Sequence, residues 1–200
     1  MRHLDHHNIL TDCQHGFRSR RSCESQLIST IQGIAEKLKS GKDQIDVILL
    51  DFANAFDKVP HKRLLHKLCH YGVRGKTLQW ITSFLSSRTQ QVLVEGCESV
   101  KLDVLSGVLQ GTVLGPLLFL VYINDLPEVV STSTRRLFAD DILLYRQVRN
   151  QTDLQKDLSA LEEWESKWQM SFHPAKCTVI RISTNRRRKR PRHTLLPTWT

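Results

Sequence analysis

The 200-residue sequence contains no C-x-x-C pair, and its five cysteines (Cys13, Cys23, Cys69, Cys97 and Cys177) are odd in number and widely spaced. A disulfide scaffold is thereby excluded, and reduced thiols in an intracellular setting are expected. His3, His6, His7 and His15 lie near Cys13, but their spacing matches no common zinc finger. No apolar core follows a basic start, so a signal peptide is not expected. Long apolar runs are missing as well: Val113 to Ile123 is interrupted by Gly115 and Pro116 and falls short of the ~20 residues a membrane span needs. Internal repeats are absent, and the length excludes a large multidomain enzyme while sufficing for one sizeable core.

What is present is unevenly charged. The formal charge is +9, yet seven of these cations lie from Arg181 onward, where there is no acid, leaving +2 for residues 1–180. A nucleic-acid groove in the body must therefore come from local clusters such as Arg18, Arg20 and Arg21. Arg186–Arg190 reads as a solvated, disordered run that also suits a nuclear-import signal.

Apolar periodicity predicts a helix from Ser22 through Leu27, Ile31, Ile34 and Leu38, stopped by Ser40-Gly41, and then a strand over Ile45–Leu50. Pro60 suits the first turn of a helix bearing Leu64, Leu65, Leu68 and Tyr71, and Leu78, Ile81, Phe84 and Leu85 suggest another. Gln90–Val94 and Val100–Val104 alternate around Glu95-Gly96 as a hairpin. After a glycine-punctuated loop, Pro116 can open a buried helix from Leu117 to about Leu126. Thr152-Asp153-Leu154-Gln155 has capping-box form before a helix carrying Leu154, Leu158, Leu161, Trp164 and Trp168, and Lys176–Ile182 alternates as a last strand. The mixture favours an α+β fold in which helices cover one face of a sheet and the other face is open.

Three acids stand out against this frame. Asp140 and Asp141 sit between Leu137-Phe138 and Ile142-Leu143-Leu144, at the turn of a short hairpin, and Asp51 ends the apolar run of the first strand. Asp-Asp is common in turns, where carboxylates cap backbone N–H groups. Three such acids also suit a two-ion site, since divalent cations like Mg²⁺ take hard oxygen ligands and a pair of ions can serve nucleotidyl transfer.

With these residues laid out, residues 8–184 resemble the reverse transcriptase of non-LTR (LINE-type) retrotransposons, and more loosely the group II intron enzymes. The resemblance rests on Gln14-His15-Gly16-Phe17-Arg18 with Ser22 and on Leu50-Asp51-Phe52-Ala53-Asn54-Ala55-Phe56-Asp57 with Val59 and His61. It continues through Ser106-Gly107-Val108-Leu109-Gln110-Gly111, Leu114-Gly115-Pro116, Ile123-Asn124-Asp125-Leu126-Pro127, Phe138-Ala139-Asp140-Asp141, and Trp168, Phe172 and Lys176-Cys177. The chain departs from the family pattern at Leu109, where proline is usual, and at Asn54 and His173.

The resemblance implies a polymerase palm, an antiparallel sheet backed by helices, with partial fingers over residues 1–44, a core over 45–184 and a basic tail over 185–200. Asp51, Asp140 and Asp141, with the Phe52 carbonyl, would bind two Mg²⁺ ions. Arg18 would meet the triphosphate, Phe56 would exclude a 2′-hydroxyl, Gln110 and Gly111 would shape the nucleotide and template pocket, and Lys176 could protonate the leaving pyrophosphate. The implied partners are an RNA template with a DNA primer and deoxynucleoside triphosphates, with no membrane. No primer grip, thumb or endonuclease is legible, so the implied fragment has low or no activity alone. A non-catalytic retroelement remnant and a basic RNA-binding protein are the alternatives.

Overall fold

Ile45, Val47 and Ile48 are almost wholly buried in one strand, and such a run, apolar on both faces, has to lie at the middle of a sheet. The computed structural model describes residues 2–39, 44–148 and 151–183. In chain order these form α1 (Arg2–His6), α2 (Cys23–Lys39), β1 (Gln44–Leu50), α3 (His61–His70), α4 (Gly75–Leu85) and four short strands, β2 (Thr89–Gln90), β3 (Leu93–Val94), β4 (Cys97–Glu98) and β5 (Leu102–Asp103). They are followed by α5 (Leu114–Ile123), α6 (Leu126–Val129), β6 (Thr134–Phe138), β7 (Asp141–Gln147), α7 (Gln151–Trp168), a 3₁₀ turn at Pro174–Lys176 and β8 (Thr178–Ser183). Ser40-Gly41 and the Arg186–Arg190 run lie outside the described residues.

The chain divides into two units, Met1–Ile9 with Asn54–Ile123, and Leu10–Ala53 with Asn124–Thr200. The second holds the four-stranded sheet, ordered β6-β7-β1-β8 and antiparallel throughout. Side chains alternate across a strand, so Ile45 and Val47 of β1 share a face with Tyr145 of β7. Ile34 and Leu38 of α2 pack on that cluster. Gly33 permits the close approach: a Cβ there would lie 2.2 Å from the Tyr145 hydroxyl.

The opposite face carries a buried charge that the alternating pattern of the strand conceals. Asp46 is fully buried, is in register with Arg146 on one side and Arg181 on the other, and accepts a hydrogen bond from Gln44 Nε2. Arg181 Nε lies 4.0 Å from its Oδ2. Arg146 in turn pairs with Asp153 of α7 at 2.5 Å. Helices thus reach both faces; on the α2 face Leu49 is the one β1 residue not buried, and Thr178 and Ile180 of the edge strand β8 are exposed.

The first unit is helical around α5, seven of whose ten residues are buried. α5 starts at Leu114, three residues before the expected Leu117, because Thr112 Oγ1 accepts the Gly115 N–H at 3.0 Å and caps the entry. Pro116 then falls in the first turn, where its missing N–H costs no helical hydrogen bond. In α3, Leu64 and Leu68 are buried as expected, and so is Lys67, whose ammonium donates to the Tyr122 carbonyl at the end of α5. The expected hairpin of Gln90–Val94 with Val100–Val104 is broken into two two-residue ladders, β2 with β5 and β3 with β4. α7 is described from Gln151, so the expected capping box of residues 152–155 falls within its described span.

Candidate active site

β1 pairs with β7 so that Leu50 opposes Ile142, and continuing that register one step sets Asp51 opposite Asp141. Directly opposed residues of an antiparallel pair point to the same face with Cβ atoms about 4.5–5.5 Å apart. On the other flank β1 pairs with β8 so that Leu49 opposes Thr178; the ladder ends there, with Lys176 in the 3₁₀ turn and Phe52 bridged to Phe172. From that turn Lys176 Nζ comes within 3.1 Å of Asp51 Oδ2. Phe138 opposes Asp141 across the β6–β7 turn. One row of the sheet therefore reads Phe138, Asp141, Asp51, with the Lys176 ammonium against its last member and Asp140 in the two-residue turn that joins its first two.

The acids interact. Burial pushes the Asp141 carboxyl above its ordinary range, the Asp140 and Asp51 carboxylates push it further, and the Lys176 ammonium pulls the other way. Negative charge is therefore in excess at this end of the sheet, and the donors are hard carboxylate oxygens, the kind a divalent cation takes. Among the described residues, however, no group of three or more His, Cys, Asp or Glu side chains is arranged to hold a metal ion. The donor chemistry fits Mg²⁺, and among the described residues the Lys176 ammonium pairs with Asp51.

The turn that carries Asp140 is clamped from outside the sheet. Ala139 has φ 53°, a left-handed conformation uncommon for any residue but glycine. Gln14, buried, holds it there: Oε1 accepts from the N–H groups of Ala139 (2.9 Å) and Gly16 (2.8 Å), and Nε2 donates to the Ala139 carbonyl (3.1 Å). Backbone bonds from His15 N–H to Leu137 and from Leu137 N–H to Cys13 continue the strap. Gly16 is packed so tightly that a Cβ on it would sit 2.2 Å from the Ala139 nitrogen. Sequence reasoning placed Gln14 in a motif but missed this task, for which the side chain's burial is the only clue. The strap is also basic: the His15 imidazole is pushed below its ordinary pKa by burial first, then by the neighbouring cations Arg21, Arg136 and Arg18.

The other expected site residues are placed as follows. Phe52 is buried and stacks on Phe172 at 4.6 Å, and Trp164, behind it at 6.1 Å, donates to Asp125 at 3.0 Å. His173 N–H donates to the Asp51 carbonyl at 2.8 Å, tying the segment before Lys176 to the end of β1. Arg18 Nη1 donates to the Leu10 and Thr11 carbonyls, both at 3.1 Å, which fixes the guanidinium. Phe56, Gln110 and Gly111 belong to the first unit. There Phe56 stacks on Phe119 at 4.6 Å and its carbonyl accepts from Val108 at 2.7 Å. Gln110 and Gly111 (φ 77°) are exposed. Gln110 edges a cavity of about 600 Å³ that Asp57, His61 and Arg88 also line.

An antiparallel sheet with an acid pair on a hairpin and a third acid in register on the neighbouring strand defines a polymerase-type palm. The sequence matches the model of the family "Reverse transcriptase (RNA-dependent DNA polymerase)" over residues 1–195, and the chain belongs to that family. It is 32% identical over 178 residues to the RNA-directed DNA polymerase from mobile element jockey of Drosophila funebris, covering 84% of this chain and 19% of that protein. It is also 32% identical over 185 residues to the probable RNA-directed DNA polymerase from transposon BS of Drosophila melanogaster, covering 84% and 20%. The chain thus spans about a fifth of the length of these relatives. Among solved structures, telomerase from Candida tropicalis, in complex with a fragment of telomeric RNA, superposes with TM-score 0.65 at 12% identity, over 84% of this chain and 30% of that one. Telomerase from Candida albicans gives 0.65 at 12%, over 92% and 34%. At that identity the likeness concerns the fold. No helix among the described residues is long and apolar enough to cross a membrane.

Proposed function

We propose that the chain is the palm of an RNA-directed DNA polymerase, in which Asp51, Asp140 and Asp141, with the Phe52 carbonyl, hold two Mg²⁺ ions. The observation that carries this reading is the charged row across the sheet, because β-strand register, and not surface chance, sets Asp51 beside Asp141. When bound, such a pair of ions supplies activation of the attacking 3′-hydroxyl and neutralisation of the leaving pyrophosphate. The chain's own residues do the rest. Lys176 leaves Asp51 to deliver a proton to the pyrophosphate, Arg18 meets the triphosphate, Gln110 and Gly111 border the nucleotide and template, and Phe56 excludes the 2′-hydroxyl that separates ribonucleotides from deoxynucleotides. The substrates on this reading are an RNA template with a DNA primer and deoxynucleoside triphosphates.

The chain spans about a fifth of the length of the relatives it matches, and by itself it is read as a weak polymerase. The test therefore uses the chain in place of the matching segment of the jockey enzyme, in primer extension on an RNA template. The grafted enzyme is expected to incorporate deoxynucleotides, and Asp140→Asn to abolish incorporation while leaving the fold intact. Equal incorporation by graft and variant refutes the assigned role. An inactive graft, together with absence of Mn²⁺ binding by the 200-residue chain in electron paramagnetic resonance, identifies a non-catalytic remnant.

A further inference from the structure

Between Asp57 and Glu95 the chain carries seven lysines and arginines and no acid. One of the seven, Lys67, is buried and donates to the Tyr122 carbonyl. Arg74 and Lys76, where α4 begins, are exposed, and neither has an ion-pair partner among the described residues. A surface of one sign on an otherwise nearly neutral body attracts a polyanion.

The helix that these cations open turns aromatic rings outward. Trp80 is 59% exposed, and Phe84, one turn on, stacks on it with ring centroids 5.6 Å apart and planes 15° from parallel. Lys76, Trp80 and Phe84 are spaced by four residues, so they follow one side of α4. Arg88 closes the row: its guanidinium lies 5.4 Å from the Phe84 ring centroid and donates to the Phe84 carbonyl at 3.3 Å. Beside Trp80 lies a cavity of about 380 Å³, lined also by Gly72, Arg74, Thr77, Ile81 and Leu117. That is within the roughly 300–1,000 Å³ of sites that take small flat ligands.

Cations beside an exposed indole and an apolar cavity suit a chain of phosphates that carries flat rings. A base presents a π-face only when it is unpaired, and stacking on an aromatic side chain combined with charge on the backbone is how single strands are held. A duplex hides those faces, and an acidic polypeptide could meet the cations but would leave the ring unused.

We propose that this side of α4 binds an unpaired stretch of nucleic acid, one base stacking on Trp80 at the cavity while Arg74 and Lys76 meet the flanking phosphates. The site uses none of Asp51, Asp140 and Asp141 and is independent of metal chemistry.

Fluorescence anisotropy of the 200-residue chain in EDTA, with labelled oligouridylate, oligothymidylate and duplex RNA of equal length, tests it. Trp80→Ala should weaken binding of the unpaired strands by about tenfold, the loss of one stacked base. Duplex affinity should stay unchanged, because the basic run after residue 180 acts on paired and unpaired strands alike. Trp80→Phe keeps a ring and should recover most of the loss. The double variant R74Q/K76Q should lower the salt slope for single strands by about 1.4, at about 0.7 for each phosphate released, whereas the Trp80 variants should leave the slope as it is. Whichever of the RNA and DNA strands binds more tightly identifies the source of the unpaired stretch. Single-strand affinity indifferent to Trp80, an equal loss on the duplex, or poly-glutamate bound with the same dependence on Trp80 overturns the proposal. If circular dichroism shows that Trp80→Ala does not fold, the R74Q/K76Q slope decides, and an unchanged slope refutes the site.

Discussion

Gln14 and Ala139, 125 residues apart, are joined by a reciprocal pair of hydrogen bonds that fixes the left-handed turn on which Asp140 stands. A glutamine amide can both accept and donate, so it satisfies the N–H and the carbonyl of one residue at once.

Removing that amide should therefore loosen the turn before it unfolds the sheet. Gln14→Ala leaves two N–H groups and a carbonyl without their partner and is expected to cost about 2–4 kcal/mol, at about 1–3 kcal/mol for each buried group left unpaired. Gly16→Ala should cost a similar amount by forcing a methyl against the Ala139 backbone. Urea unfolding measures both. A loss under about 0.5 kcal/mol, the range of ordinary surface substitutions, would contradict the clamp.

Asp141 offers a test with the opposite sign. Its carboxyl titrates high because of burial and of the neighbouring carboxylates, so its ionised form weakens the folded state. Asp141→Asn is expected to raise the melting temperature at neutral pH in the absence of divalent ions. Mn²⁺ should raise the melting temperature of the parent chain and leave that of the variant unmoved, because a ligand stabilises only the state that binds it. Thermal melts with and without Mn²⁺ check both halves.

Asp157 anchors the loop before β6 and gives the pH dependence. Burial pushes its carboxyl up, but hydrogen bonds from Thr132, Ser133 and Ser131 outweigh burial and leave it below its ordinary value. A depressed carboxylate contributes stability that is complete above the unfolded value of about 3.9 and is lost as pH falls through the folded one. Asp157→Ala should thus cost about 3 kcal/mol near pH 7, in the range for breaking a buried charged network. The difference from the parent should shrink as urea titrations move into the acid range below pH 4. A difference that stays constant across that range would contradict the assignment.

The basic run carries a separate expectation. Ending the chain at Thr184 removes six of the seven cations that follow residue 180, so RNA binding at low salt should weaken and its dependence on salt should flatten, as fewer counterions are released. Filter binding across a salt series measures the slope. An unchanged slope would move the phosphate contacts into the palm.

Local pattern announced much of this molecule. The stripe of Ile34 and Leu38 identified α2, the apolar run ending in Asp51 identified the central strand, and Phe138-Ala139-Asp140-Asp141 was legible as a turn between strands. Misread boundaries have local causes: Thr112 caps α5 from within a loop that looked glycine-driven, and the hairpin of residues 90–104 changes register between its two ladders. Gln14, Asp46 and Asp157 were unreadable for a different reason. Each is a polar residue that also needs partners far along the chain, Ala139 for Gln14, Arg181 for Asp46 and the segment Ser131 to Ser133 for Asp157, which no window of ten residues contains. The exposure of Leu27 and Ile31 on α2 shows the converse, a periodic apolar stripe of which only the C-terminal half meets the sheet.

The row Phe138, Asp141, Asp51 makes the candidate site sensitive to length more than to composition. A substitution within β1 that keeps an apolar side chain leaves every member of the row where it is, whereas inserting or deleting one residue between Gln44 and Leu50 turns Asp51 to the far face, away from Asp141. In a saturation library scored for metal binding, single-residue indels in β1 and β7 should therefore be silenced almost uniformly. Indels in the exposed hairpin of residues 88–105 should be tolerated. A lineage of such chains would lose its chemistry first through slips in reading length, long before point changes had erased the acids themselves.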